Sequence, residues 1–257
     1  MNRGMSTALT RAVSPSLGRC ELTHLARSPI DVDLASRQHE GYEDALRRAG
    51  CTVVRIRPEP DLPDAVFVED TAVVFDELAV ITRPGAASRR AETESAREAL
   101  AAWRRVEQIV EPGTLDGGDV LVAGKTVFVG AGGRSNDAGI AQFGRILAPF
   151  GYHVVAVATV GCLHLKSAAT LISGTQVLVN PAWVDPGVFS PLQAVPIDPS
   201  EPAAANALRA GNHLLHGAAH PRTRERIERL GIAVVAVDLG ELAKAEGALT
   251  CCSLLIA

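Results

Sequence analysis

A thiol, an imidazole and a set of carboxylates are the groups in this sequence with the most chemistry to offer. Cys251 stands in Gly247-Ala248-Leu249-Thr250-Cys251-Cys252-Ser253-Leu254-Leu255-Ile256, at the mouth of what reads as a final apolar strand. A cysteine can act as a nucleophile if other parts of the chain bring it a base and a clamp for the substrate. Two earlier stretches could do so. Thr114-Leu115-Asp116-Gly117-Gly118-Asp119-Val120 carries acids, and Gly161-Cys162-Leu163-His164-Leu165-Lys166-Ser167 carries an imidazole. A further pair of acids, Glu69-Asp70, lies inside a run of Val, Phe and Ala, where burial is costly without a cation. Each motif alone has an ordinary explanation: a core thiol, a satisfied core histidine, a turn. Their meaning depends on whether the fold brings them together.

The elements that would position them recur along the chain. A strand at Leu22–Ala26, a helix capped by Asp31 or Asp33 and running to about Arg48, and a strand at Cys51–Ile56 come first. Hairpins follow at Val66–Thr82, Asp119–Val129, Leu163–Asn180 and Asn206–His216. Three lead through a helix to a returning strand, and the third has only a short piece near Pro186–Phe189. A last strand starts at Leu249. The hairpin starts are about 53, 44, 43 and 43 residues apart, a spacing that signals a propeller or solenoid. The fifth unit lacks the strand, helix and strand that open the chain. Pairing of the last strand with the first would close the ring and remove the open sheet edge. The expected fold is therefore a five-bladed α/β propeller. Four tight hairpins argue against a doubly wound parallel sheet, which needs a crossover after every strand. Residues at equal phase would then share one central cavity: Glu69 and Asp70, Asp116 to Asp119, His164, Asn206, and Thr250 with Cys251.

Composition sets the outer bounds. Of 257 residues, 47% are hydrophobic and 21% charged, as in a globular protein with a sizeable core. A net charge of −4 without a basic stripe argues against a nucleic-acid partner. No apolar run reaches the ~18 residues that span a bilayer, so no membrane partner is expected. Five cysteines without regular spacing form no disulfide framework and suit a reducing cytoplasm. No Cys/His pair stands at zinc-site spacing, so no metal is expected. Met1 to Arg19 is rich in Ser, Arg, Gly and Pro and lacks the apolar centre of a signal peptide. It reads as a disordered leader ahead of one catalytic domain spanning 20–257.

The motifs Phe67-Val68-Glu69-Asp70, Ile81 to Arg90, Thr114 to Val120, Leu163 to Ser167 and Leu249 to Ser253 occur in an order that resembles the dimethylarginine dimethylaminohydrolase family, within the guanidine-modifying pentein superfamily. The resemblance runs from about Leu22 to the C-terminus, and the family fold is the five-bladed propeller. It implies Cys251 as nucleophile and His164 as general acid/base, oriented by Asp116. Asp70, with Asp116, would grip the guanidinium, while Asp64 and Glu69 would help bind or order the substrate. Arg89 and Arg134 would hold the substrate's α-carboxylate, and the carbonyl of Ala245 would accept from its α-amino group. Between the first strand and the first helix, only Arg27–Val32 is left for the family's lid, which would be shortened.

The activity implied is hydrolysis of an N-omega-methylated arginine to citrulline and an alkylamine, through a covalent thiouronium on Cys251 and without a metal or organic cofactor. The partner would be a small guanidino amino acid; a homodimer is compatible with this, and the sequence does not set the oligomeric state. Two other readings are weighed against it. One is hydrolysis of another small guanidine, or amidino transfer to an amine. The other is a non-enzymatic binding propeller, which would not need a Cys, His and acids in one cavity.

Overall fold

In the computed structural model, which describes residues 6–257, the chain forms five three-stranded sheets of one pattern. β1 (Thr7–Thr10) leads through helix α1 (Val32–Arg48) to β2 (Thr52–Arg55), which lies parallel to it. β3 (Ala72–Val74) and β4 (Leu78–Ile81) form an antiparallel hairpin, and α2 (Thr93–Leu100) returns the chain to β5 (Arg105–Gln108), parallel to β4. The third sheet repeats the plan with β6 (Val120–Ala123), β7 (Thr126–Ala131), α3 (Asp137–Leu147) and β8 (His153–Ala158). In the fourth, a one-turn helix α4 (Leu165–Ala168) precedes β9 (Ala169–Leu171) and β10 (Gln176–Val179). A 3-10 turn at Pro186–Phe189 stands in for the crossover helix before β11 (Gln193–Pro196). The fifth unit is β12 (Ala207–Ala210), β13 (His213–Gly217), α5 (Pro221–Glu228) and β14 (Val234–Val237). After the short α6 (Gly240–Ala243), β15 (Leu254–Ile256) pairs antiparallel with β1, so both chain ends complete the first sheet.

Local sequence explains most of these elements. Asp31 accepts a hydrogen bond from Leu34 N and Asn136 from Gly139 N, the side-chain caps that start α1 and α3. The amphipathic α1 buries Ala35, Tyr42, Ala45 and Leu46, and α3 buries Ile140, Phe143 and Leu147 against Val127 and Val129 of its sheet. The first strand of each hairpin, together with β15, faces a central cavity of about 290 Å³.

Two expectations are corrected at the N-terminus. Leu22–Ala26 is no strand but part of an irregular, mostly exposed segment. The first strand is Thr7–Thr10, inside the stretch expected to be a disordered leader; residues 1–5 of that stretch lie outside the described residues. Its order comes from partners distant in the chain. β1 is paired on both sides, Leu9 and Thr10 are buried, and Arg11 is buried whole. The Arg11 guanidinium donates to Ala65 O at 2.7 Å, Glu92 O at 3.0 Å and Ser95 Oγ at 2.7 Å. The link from β1 to α1 therefore runs over residues 11–31, and the expectation of a shortened lid, which rested on a strand ending at Ala26, loses its basis.

Candidate active site

Turns of helix, rather than continuous strands, lead into four of the inner strands, at Val68–Thr71, Gly117–Asp119, Leu165–Ala168 and Thr250–Cys252. The strands expected at Val66 and Leu163 thus begin several residues later. This curl gathers the reactive side chains at one end of the cavity axis. Cys251 lies in such a turn, not on a strand. Its neighbour Cys252 is fully buried in the core, with its thiol directed at Ala248 O, 3.5 Å away.

A narrow pocket of about 20 Å³ opens at this end, with Cys251, His164, Asp70, Asp64, Arg89, Arg134 and Ala245 on its walls. The larger central cavity is lined by the Glu69–Lys166 ion pair among others and has no thiol or imidazole among its lining residues. The chemistry belongs to the smaller one.

His164 is buried, with Nε2 3.1 Å from Asp116 Oδ2 and Nδ1 3.8 Å from Asp70 Oδ1. Asp116 is fully buried; its other oxygen accepts from Gly85 N at 2.8 Å. Asp116 hydrogen-bonds the imidazole and, unlike Asp70, is absent from the pocket wall, so of the two acids expected to meet a guanidinium only Asp70 is exposed to the pocket. With Nε2 committed, Nδ1 is the nitrogen left to face a substrate. Burial opposes a charge on His164, but the Asp70 charge, the Asp116 hydrogen bond and Asp119 outweigh it and raise the pKa to about 9. Asp70 moves the other way. Burial would raise it, yet His164 and Arg89 bring it down to about 2, so it stays a carboxylate. The Cys251 thiol is pushed up, by burial first and then by the charges of Glu69 and Asp70.

Gly118 is required by this crowding. Its amide donates to Asp70 Oδ1 at 2.9 Å, and a Cβ there would lie 2.6 Å from His164 Nδ1 and 2.8 Å from Asp70 Oδ1.

The remaining expected residues divide. Asp64 lines the pocket; burial raises its pKa, and its carboxylate accepts from Glu21 N at 3.0 Å. Glu69 does not reach the pocket. It is bound by Lys166 Nζ at 2.6 Å and Thr250 Oγ1 at 2.7 Å, and so braces the turn that carries Cys251. Lys166, two residues after His164, lies in α4 and points to Glu69 instead of the pocket. Arg89 is buried among acids, donating to Asp70 at 2.5 Å, to Glu92 at 2.8 Å and to the carbonyls of Asp64 and Phe67. Most of its donors are therefore committed. Arg134 also lines the pocket, donates to Thr23 Oγ1 at 3.0 Å, and has no acidic partner among the described residues. The Ala245 backbone reaches the wall beside Glu246, whose φ of 60° is left-handed.

That Glu246 escaped the sequence reading. Its carboxylate accepts from the backbone amides of Thr23, His24 and Leu25 at 2.5 to 3.1 Å, fastening the β1–α1 segment, whose Glu21 lines the pocket. Only its unusual backbone conformation marks it, and that is invisible in sequence. Asn206, at the phase expected, accepts from Thr250 N and donates to Thr250 Oγ1 and Lys166 O.

Asp70, Asp116 and His164 each present one ligand atom within 4.8 Å of the others, the spacing a metal would need. The Arg89 guanidinium already sits on Asp70 Oδ2, and backbone amides donate to Asp70 Oδ1 and Asp116 Oδ1. A cation-compensated imidazole site fits these partners better than a metal site does.

No family model matches the chain. It is similar to the N(G),N(G)-dimethylarginine dimethylaminohydrolase of Streptomyces coelicolor, 45% identical over 248 residues that cover 96% of this chain and 95% of that protein. The protein of the same name from Pseudomonas aeruginosa is 34% identical over 234 residues, covering 90% and 91%. A solved structure of the Pseudomonas aeruginosa enzyme, a cysteine-to-serine mutant complexed with citrulline, matches with a TM-score of 0.91 at 32% identity, over 97% of this chain and 98% of that one. A histidine-to-glycine variant of dimethylarginine dimethylaminohydrolase, as an adduct with S-methyl-L-thiocitrulline, matches with a TM-score of 0.92, over 97% and 99%. At this identity, sustained over nearly the whole of both chains, the protein belongs to the dimethylarginine dimethylaminohydrolase family.

Proposed function

We propose that the chain hydrolyses N-omega-methylated arginine to citrulline and an alkylamine, with Cys251 as nucleophile and His164 as acid/base. The observation that carries this is one small pocket holding a thiol, an imidazole with a pKa near 9 and an ionised Asp70. A guanidinium spreads its charge over three nitrogens and is a poor electrophile. Asp70 fixes its plane by accepting from its N–H groups. The approaching cation favours the Cys251 thiolate, whose proton leaves to water. Sulfur then adds to the central carbon to give a tetrahedral adduct. The alkylamine departs only when protonated, and the His164 imidazolium supplies that proton from Nδ1. The carbon–nitrogen bond breaks and a thiouronium remains on sulfur. His164, now neutral, takes a proton from water as the water attacks, and collapse breaks the carbon–sulfur bond to release citrulline.

Substrate recognition follows from the same walls. Arg134 pairs with the α-carboxylate, Arg89 contributes its remaining Nη1 donor, and the Ala245 carbonyl accepts from the α-ammonium. Asp64 adds negative charge near the guanidinium end. The pocket of about 20 Å³ holds little more than a water, so the Glu246-fastened segment opens to admit the substrate. The five sheets around the 290 Å³ cavity support a five-bladed propeller in one catalytic domain, with residues 7–19 belonging to it. Five free cysteines support a cytoplasmic setting, and no described helix is long and apolar enough to cross a membrane. A homodimer belongs to the same reading; sedimentation equilibrium tests it. The main experiment is turnover of a guanidine panel with detection of both the ureido product and the released amine. Release of alkylamine and citrulline from methylarginine is expected. Turnover of other guanidines alone would refute the substrate class.

A further inference from the structure

Asp119 is a buried acid that no step above uses. It is 4% exposed, and its two oxygens point to different parts of the site. Oδ1 accepts from Leu165 N at 3.0 Å, the amide that directly follows His164. Oδ2 accepts from Ser135 Oγ at 2.6 Å, and that hydroxyl in turn accepts from Asp116 N at 3.2 Å. Ser135 is also the residue after Arg134. Two segments from other elements therefore meet at one carboxylate, and through Ser135 one of them also reaches back to Asp116, at the start of the turn that carries Asp119. The surroundings are shaped to it: a Cβ on Gly130 would lie 2.5 Å from Asp119 Oδ1 and 3.1 Å from Leu165 Cβ, so β7 can pass only with glycine there.

We propose that Asp119 is a positioning residue, setting the places of His164, Asp116 and the Arg134 turn through its two carboxylate oxygens. The inference rests on the hydrolase reading for its kinetic consequences, though not for its geometry. Two hydrogen bonds to one buried carboxylate hold the acid/base, its orienting partner and the carboxylate-binding arginine at fixed separation. A misplacement of about 1 Å at such a site can cost on the order of 10²-fold in rate. The same carboxylate adds negative charge beside the imidazole. The other groups facing this network are Asp70 with its partner Arg89, Asp116, His164 itself, and the thiol of Cys162, which Asp119 helps to push up to about 11 after burial. Burial lifts Asp119 itself to about 6, so it is ionised through the range in which His164 titrates.

Asp119→Asn separates charge from shape. The amide oxygen can still accept from Leu165 N and the amide nitrogen can face Ser135 Oγ, while the negative charge is gone. The His164 ring is titrated by NMR in the substrate-free protein, alongside the pH profile of kcat. His164 should lose about tenfold in proton affinity, and the upper limb of the profile should move to lower pH with it. Asp119→Ala removes both tethers and should in addition raise KM and lower kcat by roughly 10-fold or more, because Arg134 and Asp116 lose their anchor. An unmoved His164 titration in folded Asp119→Asn, or unchanged kcat and KM in Asp119→Ala, would overturn the proposal. If the Asp119 variants do not fold, Gly130→Ala carries the same test by displacing the carboxylate from outside, with the same two readings. The titration needs no substrate. A protein that turns over no guanidine would refute the functional reading, while the titration would still decide the role of Asp119.

Discussion

Cys251 should be a slow nucleophile in the free protein and a fast one beside a cation. Its thiol is held above its ordinary pKa by burial, then by Glu69 and Asp70, and Lys166 offsets this only in part. A free cysteine titrates near ~8.5, so at pH 7.5 less than about a tenth of Cys251 should be thiolate. A neutral alkylating agent such as iodoacetamide should therefore react about tenfold faster for each pH unit, with no plateau below pH ~9. A cationic haloacetamidine would place its charge against Asp70, where the proposed reading puts the substrate guanidinium. At ~4 Å from sulfur and an effective dielectric of ~20, that charge is worth up to about 4 kcal/mol in favour of the thiolate. Solvent screening reduces this, leaving an enhancement on the order of 10²-fold. The assay is pseudo-first-order alkylation from pH 5.5 to 10 with both reagents, each normalised to glutathione, with the adduct located on Cys251 by mass spectrometry. Asp70→Asn should shrink the ratio between reagents. A plateau with iodoacetamide below pH 8, or a normalised ratio near one, would show a standing thiolate–imidazolium pair and refute the argument.

Three further outcomes follow from the same geometry. Cys251→Ser should abolish turnover, whereas Cys252→Ser, which alters a core thiol, should keep most of the activity at a stability cost of about 1 kcal/mol; equal loss in two folded variants would contradict the assignment. Arg134→Met should raise KM for methylarginine by about 10- to 100-fold, the worth of a charged hydrogen bond of about 1.5–3 kcal/mol, and should leave agmatine, which lacks the carboxylate, nearly unaffected. Wild-type discrimination against agmatine that survives Arg134→Met would move the carboxylate site elsewhere. Gly118→Ala should fold and yet lose at least ~10-fold in kcat, since its Cβ meets His164 Nδ1 and Asp70 Oδ1; full activity would mean that the crowding around the imidazole is relieved at no cost.

Residues near one another in the chain made much of this protein legible. The caps at Asp31 and Asn136, the glycine turns and the apolar alternation fix hairpins and helices through contacts spanning a few residues. Their recurrence gave the number of units and the phase that brings Cys251, His164 and Asp70 to one pocket. What escaped depends on partners far off in sequence. Thr7–Thr10 is a strand because Leu254–Ile256 and Thr52–Arg55 flank it, and Arg11 is buried because Ala65, Glu92 and Ser95 await its guanidinium. A short polar stretch carries no period that would announce either. The lid, by the same error, read as short. Which acids line the pocket was likewise decided in three dimensions. Asp116 and Glu69 turn their oxygens to His164 and Lys166, while Asp70 keeps a place on the pocket wall. Motif and period name the residues that meet; only the packed chain decides which hydrogen bonds are already taken, because a donor or acceptor is committed by whatever lies within ~3 Å of it.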